Sequence, residues 1–156
     1  MLNKFNRSVF LFLLATGITG SATYAQSTED SVKVVVNDLF KAMKGADAIL
    51  LKSVFADSAI LQTITKNKAG ETIIKNEDIA GFIDFVSKAP KGAADEQISF
   101  GSIKIDGDLA SVWTPYKFYY NGNFSHCGVN SFQLVRLKNG WKIQFLIDTR
   151  RKKGCE

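Results

Sequence analysis

The sequence predicts an α+β domain in which about three N-terminal helices cover one face of a curved antiparallel sheet shaped as a cone. Three observations lead there. Apolar residues recur at helical spacing between residues 28 and 88, and from Gln97 onward the period changes to two. The period-two stretches are separated by Asp106-Gly107-Asp108, Asn121-Gly122-Asn123 and Lys138-Asn139-Gly140, residues that tolerate the positive φ of tight hairpin turns.

The first helix is announced by Ser27-Thr28-Glu29-Asp30, which has the spacing of a capping box. Val32, Val35, Val36, Leu39, Phe40 and Met43 then form its apolar face, and it ends near Gly45. Asp47 caps a shorter second helix carrying Ile49, Leu50, Val54 and Phe55. Residues 60–65 and 72–74 are rich in β-formers and flank Ala69-Gly70, which predicts a hairpin. Asn76 is placed to cap a third helix with Ile79, Phe82, Ile83 and Val86 on its apolar face, ended by Pro90. Four strands follow, over 98–105, 109–120, 125–137 and 141–149. The two middle strands are long enough for a twisted sheet to curl. Pro115 lacks a ladder donor, so a bulge is expected there, re-aiming Tyr116.

The ends of the chain carry their own signals. A basic stretch with Lys4 and Arg7, an apolar run from Val9 to Ile18 and the small-residue end Thr23-Tyr24-Ala25 read as a signal peptide over residues 1–25. The apolar run is shorter than the roughly 20 residues a membrane span needs. The expectation is an exported protein, periplasmic or secreted, with no membrane attachment after cleavage. The remaining 131 residues make one domain over 26–149 and a basic tail over 150–156. Removing Lys4 and Arg7 lowers the formal charge from +5 to +3, and much of that sits in Arg150-Arg151-Lys152-Lys153. Nucleic acid is therefore not expected as a partner. In an oxidising compartment the two cysteines, Cys127 and Cys155, are expected to pair and fasten the tail. No cofactor and no metal site are expected, since His126 is the single histidine.

The element order, together with Val54-Phe55-Ala56-Asp57-Ser58-Ala59 and Asn139-Gly140-Trp141-Lys142-Ile143, resembles the nuclear transport factor 2-like superfamily across residues 28–149. Within it the chain is similar to a small exported bacterial branch described as lumazine-binding-like, of largely unknown function. The resemblance implies a cone with a pocket between sheet and helices, and a homodimer formed through the sheet. Steroid isomerases of the superfamily place a Tyr, an Asp base and a protonated Asp at positions that fall here on Leu39, Thr63 and Asn130. None of the three can do that acid or base chemistry.

The candidate ligand-binding residues are Thr63, Trp113, Tyr116, His126, Asn130, Asp148 and Arg150. Strand alternation puts His126 and Asn130 on one face, with Asp148 on the neighbouring last strand as a partner that would orient the imidazole and raise its pKa. No catalytic residue is assigned, and His126 and Asp148 are the candidates for one. Asp148 with Arg150 reads equally as a salt bridge at the domain edge. The aromatic-rich strand from Trp113 to Tyr120 suits a flat ring-bearing guest, a β-core or a dimer sheet. Three functions follow: a binding or accessory domain for a small aromatic or apolar molecule; a cofactor-independent isomerase, dehydratase or cyclase using His126; or a dimeric interaction module without a ligand.

Overall fold

The structure, a computed structural model, describes residues 27–155. The expected signal peptide lies outside them. Helix α1 (Thr28–Gly45) starts at Ser27, whose hydroxyl accepts the Asp30 N–H at 3.0 Å. Helix α2 (Ala48–Val54) starts at Asp47, whose carboxylate accepts the Leu50 N–H at 2.9 Å. Both caps supply an acceptor for a backbone donor that the first turn cannot satisfy by itself.

Strands β1 (Phe55–Lys66) and β2 (Thr72–Glu77) form the expected hairpin, and helix α3 (Ile79–Lys88) follows. Its cap is Asp78, which accepts from the backbone of Ala80 and Gly81, and not Asn76. Asn76 is still in the β-ladder opposite Gln62 and bonds that side chain at 2.8 Å.

The meander comprises β3 (Ala94–Ile98), β4 (Ser102–Asp106), β5 (Leu109–Tyr120), β6 (Asn123–Leu137) and β7 (Gly140–Thr149). The single strand expected over 98–105 is thus two. Trp113 O and Pro115 O accept from Gly101 N and Ser99 N, so the edge of β5 on which Pro115 has no N–H faces this break. The disturbance falls on the partner strand. Between β5 and β6 the ladder runs unbroken past Pro115, and its shift comes later, between Phe118 and Tyr119, where Ser125 is the extra residue.

The strand order is β2-β1-β7-β6-β5-β3, with β4 also on β5. All pairs are antiparallel except β1 with β7. The sheet is therefore mixed, where a wholly antiparallel one was expected. A parallel pair requires a long crossover, which α3 and the meander supply. Three helices on a curved, open mixed sheet make the α+β fold.

Helix α1 lays Val32, Val36, Leu39 and Phe40 on the sheet residues Phe132, Ile143 and Leu146. Phe40 meets Phe132 edge to face at 6.2 Å. Inward residues of β5 alternate as Ala110, Val112, Thr114 and Tyr116, all buried. The tail returns to the sheet: Arg151 and Cys127 exchange two backbone hydrogen bonds of 2.9 Å, and Cys127 is disulfide-bonded to Cys155 with Cα atoms 5.8 Å apart.

Candidate functional site

Cross-strand register gathers the polar residues. Lys75 on β2 lies opposite Thr63 on β1, Thr63 beside Asp148 on β7, Asp148 opposite Asn130 on β6, and Asn130 opposite Thr114 on β5. Side chains in register on one face of a sheet are neighbours, so five strands place one polar row across it. Thr63, Thr114, Asn130 and Asp148 are the buried polar residues of the domain as described.

Asp148 is the hub of the row. Its Oδ1 accepts the Thr63 hydroxyl at 2.6 Å, and its Oδ2 accepts Tyr116 Oη at 3.1 Å and Arg150 Nε at 2.9 Å. Arg150 Nη2 also donates to Thr63 Oγ1 at 2.9 Å. Tyr116 Oη reaches Thr149 O at 2.9 Å by crossing Gly128, its cross-strand partner. Burial first, and then the Asp148 charge, push the Tyr116 phenol well above its ordinary pKa. It serves as a hydrogen-bond donor at any ordinary pH.

Above this row lies a cavity of about 510 Å³. Leu39, Phe40 and Met43 reach it from α1 and Phe82 and Phe85 from α3; Leu61, Phe118 and Leu146 close it from the sheet. Its polar wall holds Asn130, Asp148, Arg150, His126 and Glu96. Asn130 Nδ2 donates to Glu96 Oε1 at 2.8 Å. Burial pushes the Glu96 carboxyl up to about 7, against a smaller lowering by the Asn130 bond and a raising by Asp148. Removing a carboxylate from water disfavours its charged form; the nearest cation, Arg150, is bonded to Asp148 and offsets this only slightly.

Of the residues singled out in the sequence, His126, Asn130, Asp148 and Arg150 line the cavity. Thr63 and Tyr116 brace Asp148 without lining it. Trp113 stands on the opposite face of β5, 49% exposed, outside the cavity. The suggested His126–Asp148 pair is not formed. Asp148 is occupied by Thr63, Tyr116 and Arg150, while His126 Nδ1 meets Ser125 Oγ at 3.0 Å and its ring packs on Tyr116 and Phe118. Burial, and next the charge of Arg150, hold the imidazole below its ordinary pKa instead of raising it. Among the described residues no group of three or more His, Cys, Asp or Glu side chains could hold a metal ion.

Glu96 is the site residue that the sequence reading missed. Pro90 ends the third helix and the first strand of the meander is expected from Ile98, so Ala94 to Gln97 fall between the two. The period-two inward phase Ala94, Glu96, Ile98 carries the only available signal, a carboxylate in an apolar register.

No protein-family model matches the chain, and no curated protein does. Solved structures do. One, from Shewanella baltica OS155 and of unknown function, superposes with a TM-score of 0.62 at 14% identity, over 80% of this chain and 94% of its own. The chain has the nuclear transport factor 2-like fold. A second such structure, from Methylobacillus flagellatus and also of unknown function, gives 0.62 at 15% identity, over 83% and 97% of the two chains. A third, from Streptomyces avermitilis and provisionally called a dehydratase, gives 0.58 at 14% identity, over 79% and 95%. Identities this low carry the nuclear transport factor 2-like fold and leave the activity to be argued from the site.

Proposed function

We propose that the chain is an exported binding domain whose cavity takes a small, ring-bearing or apolar molecule without transforming it. The observation that carries this is the cavity: about 510 Å³, walled mainly by aromatic and aliphatic side chains from α1, α3 and the sheet, with a limited set of polar groups, among them Glu96, Asn130, Asp148 and Arg150. Binding sites for small molecules have this size and this division between apolar walls and a few fixed polar groups. Export is supported by the signal-like residues 1–25 and by the Cys127–Cys155 disulfide, which suits an oxidising compartment. The likeness to the exported lumazine-binding-like branch belongs to the same reading. Leu61→Trp tests it, because an indole at this half-buried wall position fills the cavity while leaving the fully buried core in place. Binding of a naphthalene probe should weaken at least about tenfold, equivalent to about 1.4 kcal/mol, with the melting temperature unchanged. Unchanged binding would contradict the reading.

One observation favours a second reading, as a cofactor-independent isomerase, dehydratase or cyclase: a cavity carboxyl, Glu96, held near neutrality, where proton transfer is efficient. The same cavity would then turn its guest over, and His126→Ala or Glu96→Gln would lower turnover by orders of magnitude. A binding domain would show only a modest loss of affinity. In either reading two copies would pair through the outer face of the sheet, where Leu109 and Trp113 stand half exposed on β5. Sedimentation of the wild type and of Trp113→Glu tests that pairing; a monomeric wild type contradicts it.

A further inference from the structure

The charges around the cavity are matched, with one exception. Lys75 is bonded to Glu77 at 3.0 Å, and Arg150 to Asp148 at 2.9 Å. The Asp78 carboxylate is taken up by two backbone N–H groups at the start of α3. His126 has its pKa lowered by burial, and Tyr116 keeps its proton. The α1 residues that reach the cavity, Leu39, Phe40 and Met43, carry no charge. Glu96 is left, among the described residues, as the lining carboxylate with neither a cation within ion-pair distance nor a cluster of N–H donors.

Its free atoms point the same way. Glu96 accepts one hydrogen bond, at Oε1, so Oε2 has no partner in the protein, and Asn130 uses only its Nδ2. Among the described residues no sealed side-chain nitrogen or oxygen lacks a partner, so these two acceptors must reach open space. The space they reach is the cavity that both residues line. Phe118 lies opposite Glu96 in the β3–β5 ladder, and Phe82 and Phe85 line the same cavity. Two acceptors, one of them a carboxylate without a counter-ion, set among aromatic rings make a seat for a positive N–H group.

We infer that the guest is an organic cation: an aromatic or apolar body bearing an ammonium group that docks on Glu96 Oε2 and Asn130 Oδ1. This rests on the small-molecule reading of the cavity and adds the charge of its guest. An arriving ammonium supplies the counter-charge that Glu96 lacks, so the complex favours the ionised carboxylate. Glu96 held up at about 7 in the free protein must then release its proton on binding.

The test compares naphthylmethylammonium with the neutral naphthylmethanol by titration calorimetry on the mature chain. At pH 8 the ammonium should bind at least about tenfold more tightly than the alcohol, the ratio that one charge-assisted hydrogen bond supplies. That advantage should shrink at pH 5.5, where Glu96 is protonated, and vanish in Glu96→Gln, which keeps an acceptor for Asn130. Near pH 7, repeating the titration in buffers of different ionisation enthalpy should show release of about half a proton per ammonium bound. Equal affinities for ammonium and alcohol in the wild type would overturn the inference and leave the cavity reading standing. Failure of both probes to bind would overturn the cavity reading itself, and the inference with it.

Discussion

At the scale of single residues, Glu96 and Asp148 are two carboxyl groups on one cavity wall with opposite surroundings. Asp148 receives three side-chain donors, from Thr63, Tyr116 and Arg150. Glu96 receives one, from Asn130, and is held up at about 7 mainly by burial. The difference has a consequence for stability with a definite sign. Below about pH 4.5 Glu96 is protonated in folded and unfolded chain alike; between there and about 7 the unfolded chain ionises while the folded one keeps its proton. Stability from this group is therefore lost as pH rises through that window and levels off above it. Glu96→Gln should leave the unfolding free energy nearly unchanged at pH 4.5 and raise it by about 2 to 3 kcal/mol at pH 8. Denaturant unfolding at the two pH values checks this, and a gain that is equal at both would contradict the assigned desolvation. Gly128 is the other residue on which the site depends. A Cβ there would overlap Thr149 O and come within 2.8 Å of the Tyr116 ring, so the close crossing of Tyr116 over the strand requires glycine. Gly128→Ala should cost about 3 kcal/mol or more and disturb the bond from Tyr116 to Asp148, visible as a lowered denaturation midpoint.

Among the secondary-structure elements, what could be read from the sequence was local. Ser27 and Asp47 cap the first two helices as their spacing indicates, and the Asn121-Gly122 turn joins β5 to β6 with both residues at positive φ. Asn76 and Asp78 are both good caps two residues apart, and only the length of the β2 ladder decides between them. The bulge expected in β5 at Pro115 is absent and Tyr116 keeps its inward place in the alternation; the break lies instead between β3 and β4, on the side that the missing N–H faces. The parallel pairing of β1 with β7 has no local signature at all, because nearly the whole domain separates the two strands. Glu96 was missed for the same reason: a carboxylate at a strand start acquires meaning only when β6 brings Asn130 beside it. The tail belongs to this scale too. The disulfide closes a loop of 28 residues, and Arg151 bonds the backbone of Cys127 one residue beyond Arg150. Cys155→Ser should lower stability by about 3 to 4 kcal/mol in the chain-entropy account, measured by denaturant unfolding under oxidising conditions. Amide exchange should speed up first at Arg151, and an unchanged exchange rate there would show that the tail holds its place without the disulfide.

As a whole molecule, the domain joins a fully packed half to a hollow one. Where α1 crosses β6 and β7, Val32, Val36, Phe132 and Ile143 are completely buried. Toward the other end, between α1, α3 and the strands β1, β3 and β5 to β7, the same layers part around about 510 Å³. Close packing is the rule for protein interiors, and a void of this size forgoes the contacts that would fill it. A fold that keeps it open is suited to a guest. The most direct measurement is a titration of residues 26–156 with naphthylmethylammonium followed by methyl resonances in NMR. Shifts concentrated on Leu39, Met43, Leu61 and Leu146, with Val32 and Val36 unmoved, are the result this account predicts; saturating probe that leaves the methyl groups of those four residues unshifted would contradict it.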